Sequence, residues 1–442
     1  MKYSKVGAAV ALALAASSAY AIPPATVGAV ANRLTVAGAS AARDSFILAV
    51  LDPTEGICAS AIDIYRATPT SGQDFRAYTC HLKTLASLGS VSNTDVVIFY
   101  RSEGGSAWGP VSIATNTQVM RLNPGPACVA ATAPISGFTT WDCPVTGYAI
   151  STDTGTGAIV KDTVELGVSD VEPKLFQATN YPSPNPTTVF PAFNGTVAAN
   201  LRGLAYTTGY SQIFGVILNT TGSGSSAVNN LSKQDVQAIF TGAYSDWSQV
   251  PRQDNSGFYP AGEIIVCRRE PGSGTQASAA QYFLGVGCGA PSRTFITDSV
   301  AGLGDRVQEN STTSGEEACV NSNANAIGIN VLKTTPISGA ANVKYVSIDG
   351  VAPSVQAAAL GQYQEFYELA FTKRPGLTGT DNALADGIIS VSRNAATVPT
   401  NPSTFAIPGA GAANIPNVPI STADPVGLGT RSGDSCRPAV GL

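Results

Sequence analysis

Short runs of β-branched and aromatic residues alternate with amphipathic stretches along most of the chain, and this alternation limits the possible fold more than any other feature. Residues 33–36 and 94–100 have the composition of buried strands, and residues 41–51 have the apolar spacing of a helix. Further strands are predicted at 164–168, 212–218, 263–266 and 326–331, and further helices at 231–240 and 275–283. Alternation of this kind predicts βαβ units, hence an α/β fold with a largely parallel sheet. A chain of 442 residues exceeds what one hydrophobic core usually supports, so two domains are expected.

The first residues have the layout of a secretory signal peptide. Lys2 and Lys5 precede an apolar run at 6–16, and small residues follow, ending in Ala19-Tyr20-Ala21. The run is shorter than the roughly 20 apolar residues that a membrane helix needs. We therefore expect residues 1–21 to be removed, the mature chain to begin near Ile22, and the protein to be periplasmic or secreted rather than membrane-embedded.

The cysteine count is even, which in an exported chain favours disulfides over metal ligation. Eight cysteines allow about 105 pairings, and buried free thiols are the alternative. Short separations favour Cys58 with Cys80, Cys128 with Cys143 and Cys267 with Cys288, which leaves Cys319 for Cys436.

Charge and composition exclude one class of function. Only 12% of residues are charged, the formal net charge is −5 and the isoelectric point is near 5.0, so the chain offers no basic field for a nucleic-acid backbone. Any anion site must therefore be local, and be built from backbone N–H groups with a single Arg.

The strongest chemical signal lies at 266–275, where a predicted strand gives way to a Gly-rich turn and then to a helix. Gly272 and Gly274 permit the backbone angles that turn successive N–H groups to one side, and Ser273 and Thr275 add hydroxyl donors at the helix start. Arg269 can supply a charged bidentate donor. The alternative is a tight turn with an ordinary helix cap. The motif lacks the Lys of a nucleotide P-loop.

Three more strand ends carry similar chemistry. Ser40 follows the strand at 33–36, Ser102 stands beside paired glycines after the strand at 94–100, and Asp170 follows the strand at 164–168. Helix capping or a solvated carboxylate is the ordinary explanation for each residue alone. Four such junctions in one chain predict an anion site at the carboxyl ends of the strands.

These junctions, in this order, resemble the phosphate-binding proteins of high-affinity phosphate ABC transporters. The similarity extends from about 33 to about 367 and includes the helix and glycine at 231–242 with Trp247, and strands at 214–219 and 326–330 like the family's two crossover strands. It implies a phosphate site formed by Ser40, Ala41, Ser102, Asp170, Arg269, Ser273, Gly274 and Thr275. Ala41 stands where the family commonly has an aromatic residue.

The resemblance also implies the two-lobed periplasmic-binding-protein fold of type II. The first lobe is expected at 22–215 and 326–442, and the second at 216–325. Residues 111–162 are interpreted as a disulfide-containing insertion outside the core sheet. The Pro- and Gly-rich tail after about 395 is expected to be irregular and pinned through Cys436.

The function implied is binding of phosphate or a similar oxyanion between closing lobes, by a monomer without a cofactor that delivers its ligand to an ABC permease. Asp170 would accept the proton of monohydrogen phosphate and so disfavour sulfate. The alternatives are a secreted phosphate scavenger, a surface interaction protein on the same fold, and a secreted hydrolase. The sole histidine, His81, has no acidic partner close in sequence and supports the hydrolase poorly.

Overall fold

The structure is a computed structural model that describes residues 22–54, 56–69, 74–182, 189–288, 293–296, 306–333, 340–393, 404–405, 429–431, 433–438 and 440–441. The expected signal peptide at 1–21 and most of the tail after 395 lie outside these residues. The helices are α1 Arg43–Ala49, α2 Trp108–Thr115, α3 Gly195–Gly203, α4 Lys233–Phe240, α5 Gly274–Leu284, α6 Thr313–Ser322, α7 Val355–Ala359 and α8 Gly379–Ser392.

The strands of the large sheet are β1 Asn32–Gly38, β2 Asp63–Thr68, β3 Phe75–His81, β4 Asp95–Arg101, β6 Val129–Ala130, β7 Thr139–Ala149, β8 Thr154–Gly157, β10 Leu166–Ser169, β11 Thr207–Asn219, β13 Ile265–Arg269, β14 Val307–Asn310, β15 Ala326–Val331, β16 Val343–Tyr345, β18 Phe366–Lys373 and β19 Thr404–Phe405. The shorter ribbons pair β5 Val119–Leu122 with β9 Ile159–Asp162, β12 Asn230–Leu231 with β17 Ser347–Ile348, and β20 Gly429–Thr430 with β21 Val440–Gly441.

The large sheet is mixed, which confirms the α/β class. Its order is β14-β13-β15-β11-β18-β10-β1-β4-β3-β2-β7-β6. In addition, β8 pairs with β7, and β16 and β19 pair with β11. β1 runs parallel to β4 and β10, and β13 runs parallel to β14 and β15. The antiparallel strands β11 and β18 join these two parallel groups.

Two large hydrophobic clusters cover the two groups. The first includes Val36, Phe46 and Leu166, and the second includes Val216 and Phe283. β11 pairs with β18 through its first half and with β15 through its second, because its 13 residues are long enough to serve both groups.

Two strands, β11 and β18, cross between the clusters, whereas the sequence resemblance implies β11 and β15. β11 has Tyr210 in the first cluster and Ile213 in the second, and β18 has Leu369 in the first and Phe366 in the second. β15, which resembles a crossover strand in sequence, instead has Ile327 in the second cluster. The lobe boundaries at 215 and 326 stay a prediction, and by this criterion the return lies at β18.

Local signals explain the bounds of α4, which ends at Phe240 as predicted but begins at Lys233, two residues after the predicted start at 231, because Leu231 belongs to β12. Ser232 accepts from the Asp235 N–H while the Asp235 carboxylate accepts from the Ser232 N–H, which is a capping box. Gly242 has a φ of +78°, a left-handed conformation that suits glycine just past a helix end.

All eight cysteines form disulfides, and two of the four predicted pairs are confirmed. Cys58–Cys80 and Cys128–Cys143 are as expected, whereas Cys267 pairs with Cys319 and Cys288 pairs with Cys436. The predicted pairs 267–288 and 319–436 are wrong because side chains alternate across a strand. Val266 faces α5 in the second cluster, so the adjacent Cys267 faces the opposite side, where Cys319 of α6 lies.

The segment at 111–162 contains the expected disulfide but is not separate from the sheet. β7 pairs in parallel with β2 over six residue pairs, from Asp63↔Thr139 to Thr68↔Pro144. The expectation that this segment lies outside the core sheet is therefore wrong. Its Thr- and Gly-rich composition hid a long-range strand pairing that no local pattern reports.

The end of the tail is fixed onto the body of the protein. The Glu368 carboxylate accepts from the N–H of Arg431 at 2.8 Å, and the Lys174 ammonium donates to Asp434 at 2.7 Å. Cys436 adds the disulfide to Cys288. The prediction that Cys436 pins the tail is thus confirmed. None of the helices in the described part of the chain has the length and apolarity to cross a membrane.

Candidate anion-binding site

Three predicted residues follow the carboxyl ends of three parallel strands. The registers Gly38↔Val168 and Ala37↔Arg101 place the ends of β1, β10 and β4 side by side. The N–H of Ala39 donates to the Val168 carbonyl at 2.7 Å. A Cβ at Gly38 would stand 1.8 Å from that carbonyl oxygen, so only glycine permits this approach. Ser40, Ser102 and Asp170 therefore lie together at the carboxyl ends of these three strands.

The turn after β4 is held by a buried ion pair. The Arg101 guanidinium is fully buried, donates to the Asp153 carboxylate at 2.6 Å, and lies over the Trp108 ring at 3.9 Å from its centroid. Removing either charge would leave the other buried and unpaired, which typically costs about 3–5 kcal/mol. The pair thus fixes the start of the Ser102–Ser106 turn.

The opposing wall is the turn between β13 and α5. Gly272 has a φ of +98°, and the Ser273 hydroxyl caps α5 by accepting from the Gln276 N–H at 3.3 Å. Gly274 and Thr275 are the first two residues of this 11-residue helix, so their N–H groups lie at its positive end. The predicted strand–turn–helix arrangement is confirmed.

The two walls meet through glycine contacts. The N–H of Ala107 donates to the Gly272 carbonyl at 2.9 Å, which ties the turn after β4 to the turn after β13. A Cβ on Gly274 would lie 2.2 Å from the Ser106 Oγ and 2.4 Å from the Asp170 Oδ2. Residue 274 must therefore be glycine for this contact, and the structure brings Asp170 against Gly274, which stands between Ser273 and Thr275 in the chain.

Asp170 is buried and only half satisfied. Its Oδ2 accepts from the Ser106 hydroxyl at 3.1 Å, whereas its Oδ1 has no hydrogen-bond partner among the described residues. Burial raises the pKa of Asp170 to about 6, against the lowering effects of the Ser106 bond and the Arg269 charge. The neighbouring Thr275 hydroxyl is buried and likewise unpartnered within the described chain. Buried polar atoms are rarely left unpaired in proteins, so these two atoms point to a ligand.

Arg269 supplies a positive charge that the fold holds in place. Its Nε donates to the Asn310 carbonyl at 3.1 Å, its Nη1 to the Thr313 hydroxyl at 3.1 Å, and its Nη2 to the Ser311 carbonyl at 2.8 Å. Each Nη still carries an N–H without an acceptor among the described residues. Burial lowers the pKa of Arg269, and its acidic neighbours oppose this, so the guanidinium stays cationic.

The acidic residues nearby carry less charge than the sequence implies. Burial raises the pKa of both Glu270 and Glu316 to about 8, and it also raises the pKa of Glu103. At neutral pH the carboxyls of Glu270 and Glu316 are therefore mainly protonated. Arg269 thus faces fewer negative charges than the formal count, which leaves the site able to accept an anion.

Ser40 lines an adjoining cavity, and Ser102 is hydrogen-bonded to Asp74 in the wall of that cavity. The Ser102 N–H and hydroxyl both approach the Asp74 carbonyl, at 2.9 and 3.3 Å. The cavity has a volume of about 320 Å³ and is lined by Ser40, Arg43, Arg66, Ala67, Asp74, Phe75, Arg76, Ile135, Thr312, Thr313 and Ser314. Ala41 is half-buried against the cluster that contains Trp108. No hydrogen bond in the described part joins Ser40, Ala41 or Ser102 to Asp170 or Arg269.

Sequence reasoning missed several residues of this region. Ser106 is one, although it directly follows the paired glycines that drew attention to Ser102. Arg43, which pairs with Asp74, is another, and it lies three residues after Ser40. Asp74 and Thr313 reach the site only through tertiary contacts, so no local pattern could have found them.

The only histidine lies far from this site. His81 ends β3 and faces Asp95 at the start of β4, with 2.8 Å between its Nδ1 and the carboxylate. Because β3 and β4 are antiparallel, this pair lies at the amino end of β4, whereas Ser102 follows its carboxyl end. His81 therefore has an acidic partner after all, but it cannot act as a base on the serines of the candidate site.

Comparisons with known proteins give structural neighbours only. No protein-family model matches the sequence, and no curated protein matches it either. One neighbour is a candidate phosphate ABC transporter substrate-binding protein from Clostridium perfringens, solved with bound phosphate. It is 15% identical to this chain with a TM-score of 0.43, and the match covers 81% of this chain and 93% of the neighbour. PstS from Borrelia burgdorferi is 10% identical with a TM-score of 0.37, covering 83% and 94%. The high-affinity periplasmic phosphate-binding protein PfluDING, bound with phosphate, is 12% identical with a TM-score of 0.37, covering 77% and 80%.

Proposed function

We propose that this protein is an exported solute-binding protein that holds phosphate between two closing lobes without changing it chemically. The observation that carries the proposal is the pair of buried oxygens at Asp170 and Thr275 that have no hydrogen-bond partner in the part of the chain that the structure describes. They lie beside the start of α5 and the fixed charge of Arg269. One of these atoms can only accept while ionised, and the other can donate. A tetrahedral oxyanion that still carries one proton matches this combination.

The residues divide the binding between them by chemistry. Arg269, the Thr275 hydroxyl and the N–H groups of Gly274 and Thr275 would donate to the oxygens of the anion, with the helix start adding a favourable field. Asp170 would accept the proton of monohydrogen phosphate. Ser40, the N–H of Ala41 and Ser102 would contact the anion from the opposite wall, and Ser273 would orient the turn through its cap to Gln276.

Binding and release require the two walls of the site to separate. Strands β11 and β18 would act as the hinge for this movement. Both strands pass from the first cluster to the second, so a small twist along them changes the distance between the turns after β4 and β13. Export, a monomeric state and delivery to an ABC permease belong to the same proposal. A secreted scavenger would use the same site without a permease.

One observation favours a second ligand class. The cavity beside Ser40 holds about 320 Å³ and presents Arg43, Arg66 and Arg76 against the single carboxylate of Asp74. Arg66 and Arg76 stand directly opposite each other on β2 and β3, and the ion pair of Arg66 with Asp142 at 2.7 Å reduces the repulsion between these like charges. An anion in the cavity would reduce it further. A phosphomonoester with a second negative group would place that group here.

Calorimetric titration of phosphate-depleted protein tests both ligand classes, phosphate and a phosphomonoester. Inorganic phosphate should bind with one site per chain and be recovered unchanged, and 3-phosphoglycerate serves as the ester probe. Absence of phosphate and ester binding would refute the anion site. Tighter binding of 3-phosphoglycerate than of phosphate would support the second class, and release of inorganic phosphate from it would support a hydrolase.

A further inference from the structure

Asp63 is a buried carboxylate that has no ion-pair partner among the described residues. It is the first residue of β2 and is 2% exposed. Its Oδ2 accepts from the N–H of Ile22 at 2.8 Å and from the Thr79 hydroxyl at 3.5 Å, both of which are neutral donors. No Lys or Arg of the described chain forms an ion pair with it. Buried charges in proteins are generally paired, so this carboxylate calls for an explanation.

The Ile22 nitrogen, which donates to Asp63, is held firmly in position. Ile22 is 9% exposed and lies in a cluster with Tyr65, Phe75 and Val97. The Tyr65 hydroxyl donates to the Ile22 carbonyl. The Ile22 nitrogen therefore points at Asp63 because its own side chain and carbonyl are both anchored, whatever precedes it in the chain.

The sequence marks the same residue as the start of the mature chain, since the small-residue pattern Ala19-Tyr20-Ala21 ends immediately before it. Hydrolysis of the bond between Ala21 and Ile22 consumes one water, leaves a carboxylate on Ala21 and leaves an amine on Ile22, which takes up a proton. We propose that removal of residues 1–21 creates a buried ion pair between the new α-ammonium of Ile22 and Asp63. Processing would thereby complete the fold.

This inference goes beyond the proposed function, because it holds for any ligand. Before cleavage the Ile22 nitrogen is an amide that donates one neutral hydrogen bond, and burial raises the pKa of Asp63. After cleavage the same atom carries a full charge. β2 lies between β3 and β7, so a stronger anchor at Asp63 stabilises the outer part of the sheet. The unprocessed chain would be less stable, which suits a chain that must remain unfolded for export.

The test compares mature protein that begins at Ile22 with the same chain carrying one extra Ala before it, each with and without Asp63→Asn. Denaturant unfolding at pH 7 should show that the extra Ala raises the unfolding equilibrium constant by about tenfold or more. The same addition should have little effect in the Asp63→Asn background. Equal stability of the first two proteins would overturn the proposal.

The pH dependence gives a second measurement that needs no substitution. A paired ammonium has a pKa above its unfolded value of about 7.7–8.0, so its stabilisation is complete below that pH and is lost as pH rises through the folded pKa. The other ionisable groups nearby are Tyr65, Arg33 on β1, Asp95 on β4 and its partner His81. Both chains contain them, so the difference between the chains isolates the amine. A difference that does not shrink between pH 7 and pH 10, or a secreted protein whose first residue is not Ile22, would overturn the proposal.

Discussion

Sulfate affinity should report directly on the protonation of Asp170. Sulfate carries no proton near neutral pH, so an ionised Asp170 would face it as an unpaired, repulsive neighbour. Burial raises the pKa of Asp170 to about 6, so in the free protein about one molecule in ten is protonated at pH 7 and about one in a hundred at pH 8. Because apparent affinity scales with the competent fraction, wild-type protein should bind sulfate about tenfold more weakly at pH 7 than its protonated form does.

Asp170→Asn removes the charge and keeps the size. The variant should bind sulfate about tenfold more tightly than wild type at pH 7 and show little change between pH 5 and pH 8, since the titrating group is gone. Phosphate affinity should change less, because the Asn side-chain oxygen can still accept the phosphate proton. Competition titrations of sulfate against phosphate at several pH values measure both effects.

Ser106→Ala is the matched control. It removes the hydrogen bond to the Asp170 Oδ2 and leaves the carboxylate. Since that bond lowers the pKa of Asp170, the variant should keep the pH dependence of sulfate binding but displace it to higher pH. The reasoning is refuted if wild-type sulfate affinity is constant from pH 5 to pH 8. It is also refuted if Asp170→Asn moves the phosphate-to-sulfate ratio by less than about threefold, roughly 0.7 kcal/mol.

Three further outcomes are expected. Arg269→Ala should weaken phosphate binding by at least about tenfold in calorimetry, because a hydrogen bond to a charged group contributes about 1.5–3 kcal/mol, whereas Arg202→Ala on the exposed face of α3 should not. Gly274→Ala should lower both the melting temperature and the phosphate affinity, because its Cβ would lie 2.4 Å from Asp170. Gly195→Ala serves as the control, since Gly195 has open space around it, and an unaffected Gly274→Ala would contradict the contact between the two walls. Non-reducing peptide mapping should find Cys267 joined to Cys319 and Cys288 joined to Cys436, and recovery of a 267–288 peptide pair would contradict the pairing described here.

Local signals in the sequence account for most of the elements. β15 spans 326–331 as predicted because a short run of β-branched residues between polar turns has few alternatives. The turn at 270–273 was recognisable because Gly272 and the cap at Ser273 determine its conformation through their own backbone and side-chain preferences.

Long-range choices could not be predicted in the same way. Whether Cys267 meets Cys288 or Cys319 depends on which face of β13 it occupies, and the chain separation favours the wrong partner. Ser102 and Ser106 stand in one turn with similar local chemistry, and only the tertiary contact with Asp170 distinguishes them. The pairing of β7 with β2 likewise depends on residues about 76 positions apart, for which a local pattern carries no information.

The disulfides Cys267–Cys319 and Cys288–Cys436 overlap along the chain, so the two covalent loops that they close share residues 288–319. A single backbone cleavage between 288 and 319 leaves pieces that are still joined by two bridges, and a cleavage elsewhere between 267 and 436 leaves them joined by one. Arg269, Ser273 and Thr275 all lie within this stretch. A cut of the backbone anywhere between Cys267 and Cys436 therefore releases no fragment under oxidising conditions, and the wall of the site that carries Arg269 stays attached to the protein.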